Sequence, residues 1–172
     1  MQNTTNFTNF KGTKVELEGN FLEVGDDAPV VIGTGTDLSD VEFGGTGDKV
    51  QLIVAVPSLD TATCATETKR FNQDVEDLAI VDTFVVSMDL PFASQRFCST
   101  EGISNLAVIS DYVDKSFAKA YGILMKDNKL KGLCARAIFV IDKNGKIAYK
   151  EIVPEVTQEP NYEAVLDAIK GA

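Results

Sequence analysis

The chain has 172 residues, 44% of them hydrophobic and 24% charged, which is the composition of a globular protein with one apolar core and not of a disordered one. Lys and Arg number 16 against 26 Asp and Glu, and the net charge of −10 disfavours duplex nucleic acid and anionic membrane surfaces as partners. His is absent, so Ser–His–Asp and Cys–His catalysis and His-ligated metal sites are excluded; chemistry must rest on Cys, carboxylates, Lys, Arg, Tyr or hydroxyls.

In chain order, residues 14–17 and 21–24 alternate in polarity around Glu18-Gly19-Asn20 and predict a small hairpin. Residues 33–49 are rich in Gly, Thr and Asp and predict a loop with one short strand at 41–43. The continuous apolar run 50–56, stopped by Pro57, predicts a central strand buried on both faces. A helix is predicted over about 64–79, with Cys64, Phe71, Val75, Leu78 and Ala79 on one face and Glu67 and its charged neighbours elsewhere. Strands follow at 83–88 and 105–109. A short helix is predicted at 91–97, with Cys98 at its end or in the loop after it, and another helix at 111–123. Runs 136–141 and 146–153 flank Asp142-Lys143-Asn144-Gly145, a strong hairpin signal, and residues 161–170 form a terminal amphipathic helix. Strands alternating with helices predict one α/β domain over residues 1–172, with a mixed central sheet flanked by helices and an N-terminal β-hairpin.

No stretch of about 18 apolar residues predicts a membrane span. The polar start MQNTTNFTNFKGTK lacks an export signal, and its two Asn-x-Thr triplets are read as chance. Gly44-Gly45-Thr46-Gly47-Asp48-Lys49 is not a phosphate loop, because Asp48 interrupts the Gly-Lys pair and a strand follows.

The three cysteines, Cys64, Cys98 and Cys134, are an odd number with no Cys-x-x-Cys pair, so neither a disulfide framework nor a zinc ribbon is expected. Cys64 lies where a helix follows a central strand. A thiol there meets backbone N–H groups and the positive end of the helix dipole, which favour thiolate over thiol. Thr61 and Thr63 supply hydroxyls to cap the helix or to donate to sulfur or a bound oxygen. The same residues also fit a buried, inert cysteine behind an ordinary cap. Asp60 and Glu67 flank the site, and their orientation is open.

The spacing Pro57-x-x-x-Thr61-x-x-Cys64 resembles the active-site motif of the peroxiredoxins. The stretches VPSLDTATCATETKRFN (56–72), RFCSTEGISNLAVISDY (96–112), ARAIFVIDKNGK (135–146) and IVPEVTQEPNYEAVLDAIK (152–170) narrow the likeness to the thiol peroxidase group of atypical 2-Cys peroxiredoxins, from about Lys14 onward. The resemblance implies a thioredoxin-like fold. It implies that Cys64 attacks the peroxide bond and becomes a sulfenic acid, that Thr61 hydrogen-bonds peroxide and sulfur, that Pro57 shields the sulfenate, and that Arg136 favours the thiolate and polarises the peroxide. It makes Cys98 the resolving thiol, forming a Cys64–Cys98 disulfide that thioredoxin reduces. Hydroperoxides as substrates, no bound cofactor or metal, a homodimer with active sites near its interface, and a cytoplasmic setting follow from the same likeness. The alternatives are a one-cysteine peroxidase and a redox sensor or binding module signalling to a protein partner. Cys134 matches no family role and is read as a partly buried apolar substitute. Joining Cys64 to Cys98 is expected to require partial unwinding around both, since a disulfide needs Cα atoms within about 7 Å.

Overall fold

The computed structural model describes residues 6–172. Asn3-Thr4-Thr5, one of the two Asn-x-Thr triplets, lies outside them. The other, Asn6-Phe7-Thr8, enters a strand in which Thr8 is buried and its hydroxyl donates to Val153 O at 2.8 Å.

The expected N-terminal hairpin forms, but earlier in the chain. β1 (Phe7–Phe10) and β2 (Thr13–Glu18) pair antiparallel across Lys11-Gly12, both at positive φ. That is the primed turn whose twist suits two-residue hairpins. The predicted strand at 21–24 is absent; Asn20 N–H donates to Lys119 O, and Gly19 sits too close to that carbonyl for a side chain. The region expected to be mostly loop holds a second hairpin, β3 (Val31–Gly35) and β4 (Asp40–Phe43).

β5 (Val50–Ala55) is followed by α1 (Ala62–Asp74), β6 (Val81–Ser87), α2 (Pro91–Glu101), β7 (Ala107–Ser110), α3 (Ser116–Ala120) and β8 (Leu124–Met125). β9 (Ala137–Ile141), β10 (Ile147–Ile152) and α4 (Tyr162–Gly171) complete the chain. The main sheet runs β10-β9-β5-β6-β7-β3-β4, with β5, β6 and β7 parallel and the other pairs antiparallel; β1, β2 and β8 form a separate small sheet. The predicted helix at 111–123 is only one turn and a half, because Asp111 accepts the N–H groups of Phe117 and Ala118 and so starts it late.

The central strands alternate between two cores. Val50, Leu52 and Val54 of β5 and Ile138 and Val140 of β9 face the layer built by α1, α4 and part of α2. Ile53, Ala55, Phe139 and Ile141 face α3 and the small sheet. Burial on both faces is why these strands read as unbroken apolar runs. Cys64 belongs to the first core, and Cys98 packs against that same core. No helix of the described residues is long and apolar enough to cross a membrane.

Candidate active site

The site is assembled at the end of β5, where the chain turns through buried Pro57 into α1. The helix starts earlier and ends sooner than its apolar pattern suggests. Thr61 is the N-cap, in extended conformation, and Cys64 is the third helical residue. The Thr61 hydroxyl accepts the Cys64 N–H at 3.2 Å and donates to Ser58 O at 3.2 Å. The Cys64 amide is therefore satisfied by the cap rather than open to a ligand. Thr63 does not cap; its hydroxyl donates to Thr157 O at 3.3 Å. The Cys64 side chain is fully buried.

Arg136 reaches this point from β9. The β5–β9 ladder ends at the Ala55–Ala137 pair, so Arg136 stands one step beyond it, beside the Pro57 turn. It is among the largest fully buried side chains, with 1% of its surface exposed. Its Nε donates to Val156 O at 2.9 Å and its Nη1 to Glu67 Oε2. Burial pulls the guanidinium down, yet the Glu67 carboxylate and the neighbouring Cys64 side chain hold it above its ordinary value. Arg136 thus carries its charge against the Cys64 sulfur.

Glu67 corrects the sequence reading, which put it off the buried face. It lies three residues after Cys64 and four before Phe71, so helical spacing places all three on one side. It is fully buried. Its charge argues for a place off the apolar face; the i, i+3 spacing from Cys64 is the local signal for the buried side. Asp60, by contrast, is exposed. Burial pushes the Glu67 carboxyl up to about 7, against the pull of Arg136 and with a further push from Glu151 and Glu159. Its second oxygen, Oε1, has no hydrogen-bond partner, consistent with a carboxyl only half compensated.

This has a consequence for stability. A carboxyl with a folded value near 7 and an ordinary value of 4.5 keeps its proton in the fold after the unfolded chain has lost it. Stability therefore falls as pH rises between those two values. Thermal unfolding of wild type and Glu67→Gln across that range should show the wild-type curve falling more steeply; parallel curves would refute the assignment.

Cys98 lies inside α2, three residues before its end, and not at the end or beyond. Gly102 in left-handed conformation stops the helix, and the Gly102 and Ile103 N–H groups both donate to Cys98 O. This is the glycine-based cap that the sequence CSTEG encodes. Cys98 is half-buried, and burial pushes its thiol up. With Gln95, Ser99 and Ile103 it lines a cavity of about 420 Å³ floored by β7. Cys64, Cys98 and Cys134 are all free thiols, each of the first two inside a formed helix. Cys134 is fully buried in the other core, with its thiol pushed well up by desolvation.

The structure thus brings Pro57, Thr61, Cys64 and Arg136 together and holds Cys98 on a separate helix. A group absent from the sequence reading is Asp89, whose carboxylate accepts from the Ser58 and Ser87 hydroxyls and the Leu59 N–H. No periodicity or spacing in the chain signals it.

Residues 23–166 match the Redoxin family. A thiol peroxidase of Campylobacter jejuni is 55% identical over 163 residues, covering 95% of this chain and 91% of that protein. A thiol peroxidase of Aquifex aeolicus is 49% identical over 162 residues, covering 94% and 95%. Among solved structures, a peroxiredoxin-like protein from Aquifex aeolicus superposes with a TM-score of 0.95 at 47% identity over 97% of each chain. A thiol peroxidase from Chromobacterium violaceum, at 19% identity, shares the fold with a TM-score of 0.86 over 96% and 95% of the two chains.

Proposed function

The chain belongs to the redoxin family, and on that premise we propose that Cys64 is the nucleophile of a thiol-dependent peroxidase that draws electrons from thioredoxin through Cys98. The observation that carries this reading is the buried guanidinium of Arg136, held by Glu67 and Val156 O against the Cys64 sulfur.

The chemistry suits that arrangement. The Cys64 thiolate attacks one oxygen of a hydroperoxide; an S–O bond forms, the O–O bond breaks, and water or an alcohol leaves. Negative charge grows on the departing oxygen, where the Arg136 guanidinium stabilises it; the Thr61 hydroxyl can join only by exchanging its bond to Ser58 O for one to that oxygen. Pro57, buried at the turn, limits access of water to the resulting sulfenic acid. The Cys98 thiol then attacks the sulfenic sulfur, an S–S bond forms and water departs. Two thiols of thioredoxin reduce the disulfide. The cycle uses no metal or cofactor, and hydrogen peroxide and alkyl hydroperoxides are its substrates. Cys98 is the least buried of the three cysteines, which supports attack by an external thiol there.

We assign the protein to the cytoplasm, whose reducing poise keeps all three thiols free between turnovers. A homodimer is supported by four exposed apolar side chains on two neighbouring segments, Leu90 and Phe92 after β6, and Tyr112 and Val113 after β7. The segments are tied together by the Ser110 hydroxyl on Asp89 O and the Asp111 N–H on Ser87 O.

Peroxide reduction coupled to thioredoxin, thioredoxin reductase and NADPH tests the reading. Wild type should consume many equivalents. Cys98→Ser should react once, then accumulate sulfinic acid at Cys64 by mass spectrometry. Full multiple turnover by Cys98→Ser would remove its resolving role, and wild type stopping after one equivalent would favour the sensor.

A further inference from the structure

The proposed cycle needs two arrangements of the same residues. Peroxide attack uses Cys64 buried in the first turn of α1 beside Arg136. Disulfide formation joins Cys64 to Cys98, free thiols that lie inside two separate formed helices in this structure. Something must hold the first arrangement without preventing the second.

Asp89 occupies the junction between β6 and α2, one residue before the α2 N-cap Leu90. Its backbone is fixed to the sheet: its N–H donates to Ser87 Oγ at 3.2 Å, and its carbonyl accepts the Ser110 hydroxyl. Its side chain reaches across to the loop that carries the active-site turn. Oδ1 accepts the Ser58 hydroxyl at 2.7 Å, and Oδ2 accepts the Leu59 N–H at 2.7 Å and the Ser87 hydroxyl at 2.8 Å. The contact then passes along the loop. Ser58 O accepts both the N–H and the hydroxyl of Thr61 at 3.2 Å, and the Thr61 hydroxyl accepts the Cys64 N–H. Beyond this link the loop before α1 and the helix α2 border a cleft of about 140 Å³, lined by Asp60 on one side and Ala93, Arg96 and Phe97 on the other.

We propose that Asp89 is a positioning residue, a latch that ties the Cys64 loop to the root of the Cys98 helix in the peroxide-reactive arrangement and releases both when the disulfide forms. The proposal rests on the peroxidase reading above. Hydrogen bonds to a carboxylate are the strong kind, and two of the three cross from one thiol-bearing segment to the other. Moving the 58–61 loop breaks both at once and withdraws the Thr61 cap from Cys64. The latch therefore sets the balance between two competing fates of the sulfenic acid. While it holds, the acid stays in the pocket, open to a second peroxide. Once it opens, Cys98 captures the acid with loss of water.

The test is pre-steady-state oxidation of reduced wild type, Asp89→Asn and Ser58→Ala by hydrogen peroxide. Stopped flow reads sulfenic acid formation and its conversion to disulfide, and mass spectrometry reads sulfinic acid at rising peroxide. Asn offers an amino group where the carboxylate accepted, so it weakens the latch at nearly constant size. Asp89→Asn should speed disulfide formation roughly tenfold and raise the peroxide concentration giving half sulfinic acid by a similar factor. Sulfenic acid formation should slow by a smaller factor, because most molecules remain folded. Ser58→Ala, which deletes one of the two crossing bonds, should shift both readings the same way by roughly threefold, and it is decisive if Asp89→Asn does not fold. General loss of structure would slow both steps together. Slower disulfide formation, or unchanged partition in a folded variant, overturns the latch while leaving the peroxidase reading intact. Failure of wild type to form sulfenic acid at Cys64 overturns the peroxidase reading, and the latch with it.

Discussion

Cys64→Ser is expected to abolish peroxide turnover with every electron donor, and no sulfenic acid should be trapped from the treated protein. The serine hydroxyl fits the buried position and keeps the Thr61 cap, since that bond is made by the backbone N–H. Folding should therefore be retained, and the loss reports on chemistry alone. A hydroxyl stays protonated at neutral pH, and oxygen has no counterpart of the sulfenic acid from which the cycle continues. Cys98 is not expected to substitute, because Arg136 meets Cys64 and Glu67 and not the α2 thiol, and burial pushes the Cys98 thiol up. Measurable turnover by Cys64→Ser would transfer the nucleophile's role to another residue.

Arg136→Met is expected to have the second largest effect, and on two properties at once. For the reaction, it removes the guanidinium that meets the Cys64 sulfur and would donate to the leaving oxygen, a loss of about a hundredfold to a thousandfold in peroxide attack by analogy with oxyanion donors. For stability, it leaves Glu67 buried and unpaired. Breaking a buried ion pair from one side costs about 3–5 kcal/mol when the remaining charge stays ionised. Glu67 can avoid that cost by holding its proton, since its carboxyl is already pushed up to about 7 with Arg136 present. The unfolded chain releases that proton at its ordinary value, so the penalty is small in mildly acidic buffer and grows as pH rises. Urea unfolding at about pH 5 and about pH 8 should show Arg136→Met close to wild type at the first and clearly destabilised at the second. Adding Glu67→Gln should restore stability at the higher pH without restoring the rate. A double variant that recovers peroxidase activity would show that the guanidinium serves only packing.

The parts of the site legible in the sequence were local. A β strand buried on both faces reads as an apolar run, so the strand leading to Cys64 could be placed within a residue, and Pro57, Thr61 and Cys64 follow it within one turn. Arg136 could be named only through the family resemblance. Glu67 and Arg136 are 69 positions apart, and nothing in the order of residues says that their side chains meet. Glu67 was open to deduction from helical spacing, yet its charge argued for solvent; the opposing charge that makes its burial tolerable comes from a distant strand. Asp89 bonds to residues 30 and 31 positions earlier and was invisible for the same reason.

The sequence by itself determined the element types along the central sheet, the place of a cysteine at a strand-to-helix turn, and the exclusion of His-based catalysis and His-ligated metal sites, because each depends on residue type and short-range periodicity. It did not determine the register of the N-terminal hairpin or the existence of β3, whose glycines argue against a strand. β3 forms because Ile109 of the neighbouring strand fills the space a side chain at Gly33 would need. Only the tertiary structure decided that Arg136 meets Glu67 and Cys64 in the interior and that Asp89 bridges two thiol-bearing segments. Those contacts depend on antiparallel pairing of β9 with β5 and parallel pairing of β6 with β5, and long-range pairing leaves no mark in the local order of residues.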